Sequence, residues 1–321
     1  MLLRLWSDEV EAMRAEARAA VEAGIGMFSP TDAAPGLSRD ERVRQQRATM
    51  PAFPAPEAIE RHIAGVRCRT FLAADDRRPR AVYLQLHGGG MVAGSPEVMD
   101  FPNRELTREH DVVVVSPDYR KAPEHPYPAG PDDAYAVAEW LVKHAEAEYG
   151  TDRLVIGGES AGGYLAALVA LRLRDRLGGA LDRVLGLNLV FGVYDWGRTP
   201  SQRGMRPHQG PDILSPDGIE FVTDCYLPGR TDEERRAPEI SPAYADLHGL
   251  PPMLLSVGTC DHLLDDTLLF AARAAAAGGD VELFVAPDMP HAFFAFGCAI
   301  TTLWAERLNA WFERVLGGDE G

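Results

Sequence analysis

Lysine is nearly absent from this chain of 321 residues: it stands only at Lys121 and Lys143, and arginine supplies the rest of the 32 basic residues. That bias, with abundant alanine, reads as coding bias rather than function. Against 48 acidic residues it leaves a formal net charge of -16. Such a chain repels phosphate backbones and has no basic run to offset the repulsion, which argues against nucleic-acid binding. The acidity also argues against a strongly cationic surface for anionic membranes. Cysteine is scarce as well. Cys68, Cys225, Cys260 and Cys298 are dispersed, no two form a CxxC pair, and no HExxH occurs. No metal site is therefore expected, and the four thiols are expected to be reduced. Long apolar runs are missing too. None reaches the roughly 18 residues that span a bilayer. Met1 to Val10 is too short and too charged for a secretory leader, so the chain reads as cytoplasmic with no membrane partner.

What remains is a folded composition, 46% hydrophobic and 25% charged. Short apolar runs bounded by turn residues predict strands at Ala81–Leu86, Val112–Ser116, Leu154–Ile156, Val184–Leu189, Met253–Val257 and Val281–Val285. They are apolar almost throughout, as parallel strands buried on both faces must be. Amphipathic segments at Asp132–Glu148, Ala161–Leu177 and Asp265–Ala277 alternate with them. The alternation predicts an α/β doubly wound sheet with right-handed crossovers. Residues 1–50 differ: a helix capped by Ser7 runs through Glu9 to Val21, a second charged helix follows Ser38, and the Pro-rich Met50–Pro56 reads as a linker into the alternating strand–helix domain of residues 51–321. A Pro- and Gly-rich stretch at about 191–246, with a short helix near Asp217–Cys225, interrupts the rhythm as a lid-like insertion would.

Three segments carry chemistry. Gly158-Glu159-Ser160-Ala161-Gly162-Gly163 sits between a buried strand and a helix, the setting a nucleophile elbow requires. Small neighbours permit the strained turn, and the Ala161 N–H at the helix start is free to hold an oxyanion. His87-Gly88-Gly89-Gly90 follows a strand and offers the Gly88 and Gly89 N–H groups for the same oxyanion, with His87 as a brace of the loop rather than a catalyst. Downstream, Asp261 and His291 end two consecutive strands, in the order acid then base that follows the serine in this kind of site. Asp265, Asp266, Asp288 and His262 are the nearby alternatives; Asp265 and Asp266 read as helix-start acids and His262 as too close to Asp261 in sequence to be the base. Gly88-x-Gly90-x-x-Ala93 also matches a dinucleotide fingerprint and opens an alternative, a nicotinamide-dependent oxidoreductase, although Pro96 interrupts the helix it needs.

With these residues in place, the chain after about residue 50 resembles the hormone-sensitive-lipase-like family of bacterial α/β-hydrolase carboxylesterases. The residues 87–90 resemble its HGGG, and Asp118-Tyr119-Arg120-x-Ala122-Pro123-Glu124-His125 its DYRLAPEH. The elbow resembles GDSAGG, Asp261-His262-Leu263-x-Asp265 resembles DPLxD, and His291-Ala292-Phe293 resembles HGF. The resemblance implies an α/β-hydrolase fold, a mostly parallel central sheet with helices on both faces and a helical cap built from residues 1–50 and the insertion. It implies a Ser160–His291–Asp261 triad, an oxyanion hole of Gly88, Gly89 and Ala161, no metal or organic cofactor, and a small-molecule ester substrate; a cap closing a modest apolar pocket is expected to select short to medium acyl chains. A homodimer through an edge strand and the helix near Leu303–Val315 is a further implication. Arg120 and Asp133 are expected to brace the site. Trp6, Phe28, Trp196, Phe293 and Phe294 are candidate pocket walls. Glu159 for Asp, Lys121 for Leu, His262 for Pro and Ala292 for Gly depart from the pattern. Amides or a specialised acyl ester on the same triad, or a noncatalytic small-molecule binder on the same fold, are the remaining readings.

Overall fold

The computed structural model describes residues 5–27, 36–48, 50, 52–74, 77–206 and 210–317. Within them the chain runs α1 (Asp8–Ala12), α2 (Arg14–Gly24), α3 (Arg39–Ala48), β1 (Ile59–Ile63), β2 (Val66–Phe71), β3 (Val82–Leu86), α4 (Asp100–His110) and β4 (Val113–Pro117). It continues through α5 (Ala129–Tyr149), β5 (Leu154–Glu159), α6 (Ala161–Arg176), β6 (Val184–Val190), α7 (Pro216–Tyr226) and α8 (Asp232–Arg235). It closes with β7 (Met253–Gly258), α9 (Leu264–Ala276), β8 (Val281–Ala286) and α10 (Ala299–Leu316). The sheet has eight strands in the order β1-β2-β4-β3-β5-β6-β7-β8. β1–β2 and β2–β4 are antiparallel, and every other pair is parallel.

Strand pleating explains why the parallel strands are apolar on both sides. Val82, Leu84 and Leu86 join one cluster with Leu141 of α5 and Leu165 of α6, whereas Tyr83 joins another with Trp311 and Phe312 of α10. Val113/Val115 and Val112/Val114, Ile156 and Val155, and Leu255 and Leu254 divide in the same way. Helices thus cover both faces. α6 is buried from Ala161 to Leu173, which accounts for its nearly unbroken run of apolar and small residues.

The six expected strands and the main helices are present. Two elements differ from expectation. The β1–β2 hairpin was not legible as strands, because Glu60, Arg61, His62, Arg67 and Arg69 interrupt the apolar pattern. Its two-residue turn has Ala64 at φ 50 and Gly65 at φ 83, the left-handed pair that a tight hairpin uses. The N-terminal helix is broken at Met13 into α1 and α2, although Ser7 Oγ does accept from the Val10 N–H as its cap. The Pro-rich segment before β1 is pinned at its end. Buried Asp100 accepts from the Ala55 N–H at 2.9 Å and from Arg69 Nε at 3.0 Å, and Arg69 also donates to the Ala55 carbonyl.

Asp266, in the first turn of α9, does more than favour a helix dipole. Its buried carboxylate accepts from the Tyr194 and Asp195 N–H groups, both at 2.8 Å, from Thr199 Oγ1 at 2.9 Å and from Gln202 Nε2 at 2.8 Å. Four donors on one carboxylate fix the start of the insertion to the helix behind β7.

Candidate active site

The C-terminal ends of β3, β5, β6, β7 and β8 deliver the chemistry-bearing loops to one edge of the sheet, where open α/β sheets place their sites. Ser160 follows β5 directly and has φ 56 and ψ -119, far from the helical and extended regions. Its N–H donates to the Val190 carbonyl at 2.9 Å, and its carbonyl accepts from Tyr164 in α6 at 3.1 Å. The turn is held on both sides, which is how a strained conformation persists. The closeness of its neighbours explains the glycines. A Cβ at Gly158 or Gly162 would fall on the Leu86 carbonyl of β3.

Asp261, Ser160 and His291 are brought together. His291 Nδ1 lies 2.8 Å from Asp261 Oδ2, and its Nε2 lies 3.1 Å from Ser160 Oγ. Asp261 is fully buried, and its other oxygen accepts from the Leu263 N–H at 2.8 Å, so the carboxylate is oriented from two sides. The ring of Phe191 packs against the His291 imidazole, with centroids 4.5 Å apart. Nothing in the sequence singled out Phe191. Its signal lay in its place, first after β6 and at φ 36.

Gly88 lies beside Ser160: a Cβ there would sit 3.4 Å from Ser160 Cβ. Among the described residues no acceptor takes the N–H of Gly88 or Gly89. Ala161, as the first residue of α6, has no carbonyl one turn earlier to receive its own. Gly89 has φ 125 and closes a turn that accepts from Val92 and Ala93. No helix opens on this loop, and a short 3-10 turn begins only at Pro96, so the dinucleotide fingerprint lacks the helix it requires. Val222 of α7 covers Gly90, at 3.0 Å from where a Cβ would stand.

His87 braces the loop, as expected. It is fully buried, stacks on Tyr119 at 4.3 Å, and its Nδ1–H donates to the Gly88 carbonyl at 2.7 Å. Burial drives the imidazole down to about 3, so it stays neutral. Lys121 donates to the Asp118 carboxylate and the Tyr119 carbonyl beside it. Arg120 and Asp133 also form a brace, with the Asp133 carboxylate accepting from the Arg120 N–H at 2.9 Å and from its guanidinium at 2.8 Å. His262 is taken up elsewhere, Nδ1–H donating to Ser201 and Nε2 facing Asp212 at 2.9 Å. Of the candidate wall aromatics, Trp196 and Phe293 are buried in the core, Phe294 stacks on Phe191 at 5.6 Å, Trp6 bonds Glu11, and Phe28 lies outside the described residues. Among the described residues no cluster of His, Cys, Asp and Glu could hold a metal ion, and no helix is long and apolar enough to cross a membrane.

Glu159, one residue before Ser160, accepts from Gln85 Nε2 at 2.8 Å, and Gln85 Oε1 accepts from Ser116 Oγ at 2.6 Å. Burial pushes its carboxyl up to about 8, against the partial pull of the Gln85 hydrogen bond. A raised carboxyl favours the folded state fully below its unfolded value, 4.5, and that contribution is lost as pH rises through about 8. Glu159→Gln is therefore expected to match wild type in acid and to exceed it by up to roughly 5 kcal/mol above that range. Urea titrations at stepped pH would show the gap opening; a constant gap would refute it.

A family model described as alpha/beta hydrolase fold matches residues 83–295. Carboxylesterase NlhH of Mycobacterium tuberculosis is 35% identical over 232 residues, 70% of this chain and 69% of its own. Esterase LipI of the same species is 32% identical over 271 residues, 80% of this chain and 82% of its own. A crystal structure described as a hormone-sensitive lipase from a metagenome library superposes with a TM-score of 0.73 at 29% identity, over 97% of this chain and 98% of that one. The structure titled DphMB1 gives a TM-score of 0.78 at 30% identity, over 94% and 99%. Fold, motif order and relatives agree that the chain belongs to the α/β-hydrolase family, on its hormone-sensitive-lipase-like branch of serine carboxylic ester hydrolases.

Proposed function

We propose that the chain hydrolyses small carboxylic esters of short to medium acyl length through an acyl-enzyme on Ser160. The observation that carries this is the unbroken line from buried Asp261 through His291 to Ser160 Oγ, at 2.8 and 3.1 Å, beside three uncommitted N–H groups. In the first half-reaction His291 Nε2 takes the Ser160 proton as Oγ attacks the carbonyl carbon. The oxyanion is held by the N–H groups of Gly88, Gly89 and Ala161, and the imidazolium by Asp261. Collapse expels the alkoxide, which leaves with the proton from His291. Water then repeats the sequence on the acyl-enzyme, releasing the acid and restoring Ser160. No step calls for a metal or organic cofactor.

The same reading makes α1–α3 and residues 191–246 a cap. In support, Arg47 of α3 donates to the Val92 and Ala122 carbonyls beside the glycine loop, and α7 sets Val222 over Gly90. A roof this close leaves little room above the oxyanion loop. Hydrolysis of p-nitrophenyl esters is therefore expected to peak at short or medium chains, with a serine-directed phosphonate adding its mass to the Ser160 peptide. An optimum on long emulsified triglycerides would overturn the size limit. Inertness to both ester and phosphonate would favour a binding role.

A further inference from the structure

We propose that Asp288 is a positioning residue, an ionic latch through which helix α2 sets the loop that carries His291. The proposal rests on His291 being the base, and adds a side chain that belongs to none of the motif segments. Asp288 stands between the end of β8 and His291. Its carboxylate is 8% exposed and takes two cations from α2. Arg14 donates Nε to Oδ2 at 2.8 Å and Nη2 to Oδ1 at 3.1 Å, a two-point fork, and Arg18 Nε donates to Oδ2 at 2.7 Å. These contacts span some 270 residues of sequence, so nothing local to the loop demands them.

The backbone of Asp288 points the other way, into the second triad loop. Its N–H donates to Thr259 Oγ1 at 2.8 Å, two residues before Asp261. The Thr259 N–H donates to Ala286 at 2.9 Å, and the Cys260 N–H to Met289 at 3.0 Å. A Cβ at Gly258 would fall on the Met289 carbonyl, so the two loops are in full backbone contact. One residue thus joins three segments: the loop of the acid, the loop of the base, and a helix from the start of the chain. Asp288 also has φ 63, a left-handed conformation that glycine would take without strain. An aspartate there gives up some backbone stability for what its carboxylate does. The arginines hold that carboxyl below the ordinary range against the opposing effect of burial, so the latch stays charged where an imidazole base works.

Helix α2 has anchors besides the latch. Ala17 and Val21 are buried in a cluster with Phe284, Phe293 and Ile300, and the Glu16 carboxylate accepts from the Ala299 N–H at 3.1 Å. Removing the latch should therefore leave the helix docked and the loop free to wander. A displacement of the base well below 1 Å suffices to slow the chemistry.

The test uses the full chain with Asp288→Asn, which keeps the shape and tolerates the left-handed backbone, together with Asp288→Gly, Arg14→Ala, Arg14→Lys and the double variant Arg14→Ala/Asp288→Asn. Readouts are kcat and KM on p-nitrophenyl acetate and the rate of Ser160 phosphonylation, with thermal melts alongside. Asp288→Asn and Arg14→Ala should each lower kcat and phosphonylation by about tenfold with KM within about twofold. The double variant should be no slower than either single one, and Arg14→Lys should recover part of the loss. Wild-type kcat in Asp288→Asn or Asp288→Gly, a change confined to KM, or losses that multiply in the double variant would overturn the latch. His291→Asn runs in parallel. If it is inactive while Asp288→Asn is unimpaired, the latch alone fails; if it retains activity, the base assignment falls and the latch with it.

Discussion

Ser160→Ala is expected to lower kcat on a p-nitrophenyl ester by about a million-fold, with KM nearly unchanged. The alanine removes the attacking atom and nothing else, because Ser160 is fixed by its backbone contacts to Val190 and Tyr164 rather than by its hydroxyl. The N–H groups around the site would persist, and a residual rate from binding and oxyanion stabilisation would remain. Asp261→Asn should cost less, about ten-thousand-fold, since an amide at the same place can turn the His291 ring to the wrong tautomer. The two losses should not multiply. Once Oγ is gone, the orientation of His291 has nothing to act on, so Ser160→Ala/Asp261→Asn should equal Ser160→Ala. Burst kinetics on the wild type would give the acyl-enzyme directly. A Ser160→Ala variant within tenfold of wild type would remove the nucleophile assignment altogether.

Gly162→Ala should disable the protein at its fold and its site together. A methyl group there would lie inside the Leu86 carbonyl and press on the His87 carbonyl. These atoms are backbone, one at the end of β3 and the other at the root of the glycine loop, so they cannot turn aside as a side chain would. Either α6 moves off β3 or the loop shifts. The expected cost is about 3 kcal/mol of stability, the upper end for an overpacked core. What does fold should lose on the order of a hundredfold in kcat, because the shift acts on the Gly88 and Gly89 donors. Gly163→Ala is the natural control. Its Cβ would meet its nearest atoms at 3.2 to 3.3 Å, tight but open to a small adjustment. Urea melts of the two variants should separate them clearly; equal melts would mean that the helix slides freely over the strand.

Most of the sheet was legible because each parallel strand packs on both faces and is apolar through its length. The order of Ser160, Asp261 and His291 after β5, β7 and β8 was legible for a related reason: chain order and strand-end position are one-dimensional. What escaped was set by contacts across the fold. β1 and β2 hide behind charges that find partners elsewhere, Arg67 on Asp118 at 2.8 Å and Arg69 on Asp100. Asp288 gave no sign of its role, since Arg14 and Arg18 belong to the opposite end of the sequence. Phe191 is as buried as Trp196 and Phe293, and only its packing against the His291 ring, a contact across the fold, sets it apart. Asp266 does stand in the first turn of a helix, yet its four donors come from a loop whose path no local pattern reveals.

The two lysines have a practical consequence for anyone attaching this enzyme to a surface. Lys121 is tied to the Asp118 carboxylate just past β4, beside the Tyr119 that stacks on His87, with its side chain 19% exposed. Lys143 stands on α5, 49% exposed and held only by Glu139 one turn away. Amine-reactive supports and dyes will therefore find Lys143 first among the lysines. Molecules coupled through a lysine should therefore be tethered by the same helix, and so in one consistent orientation.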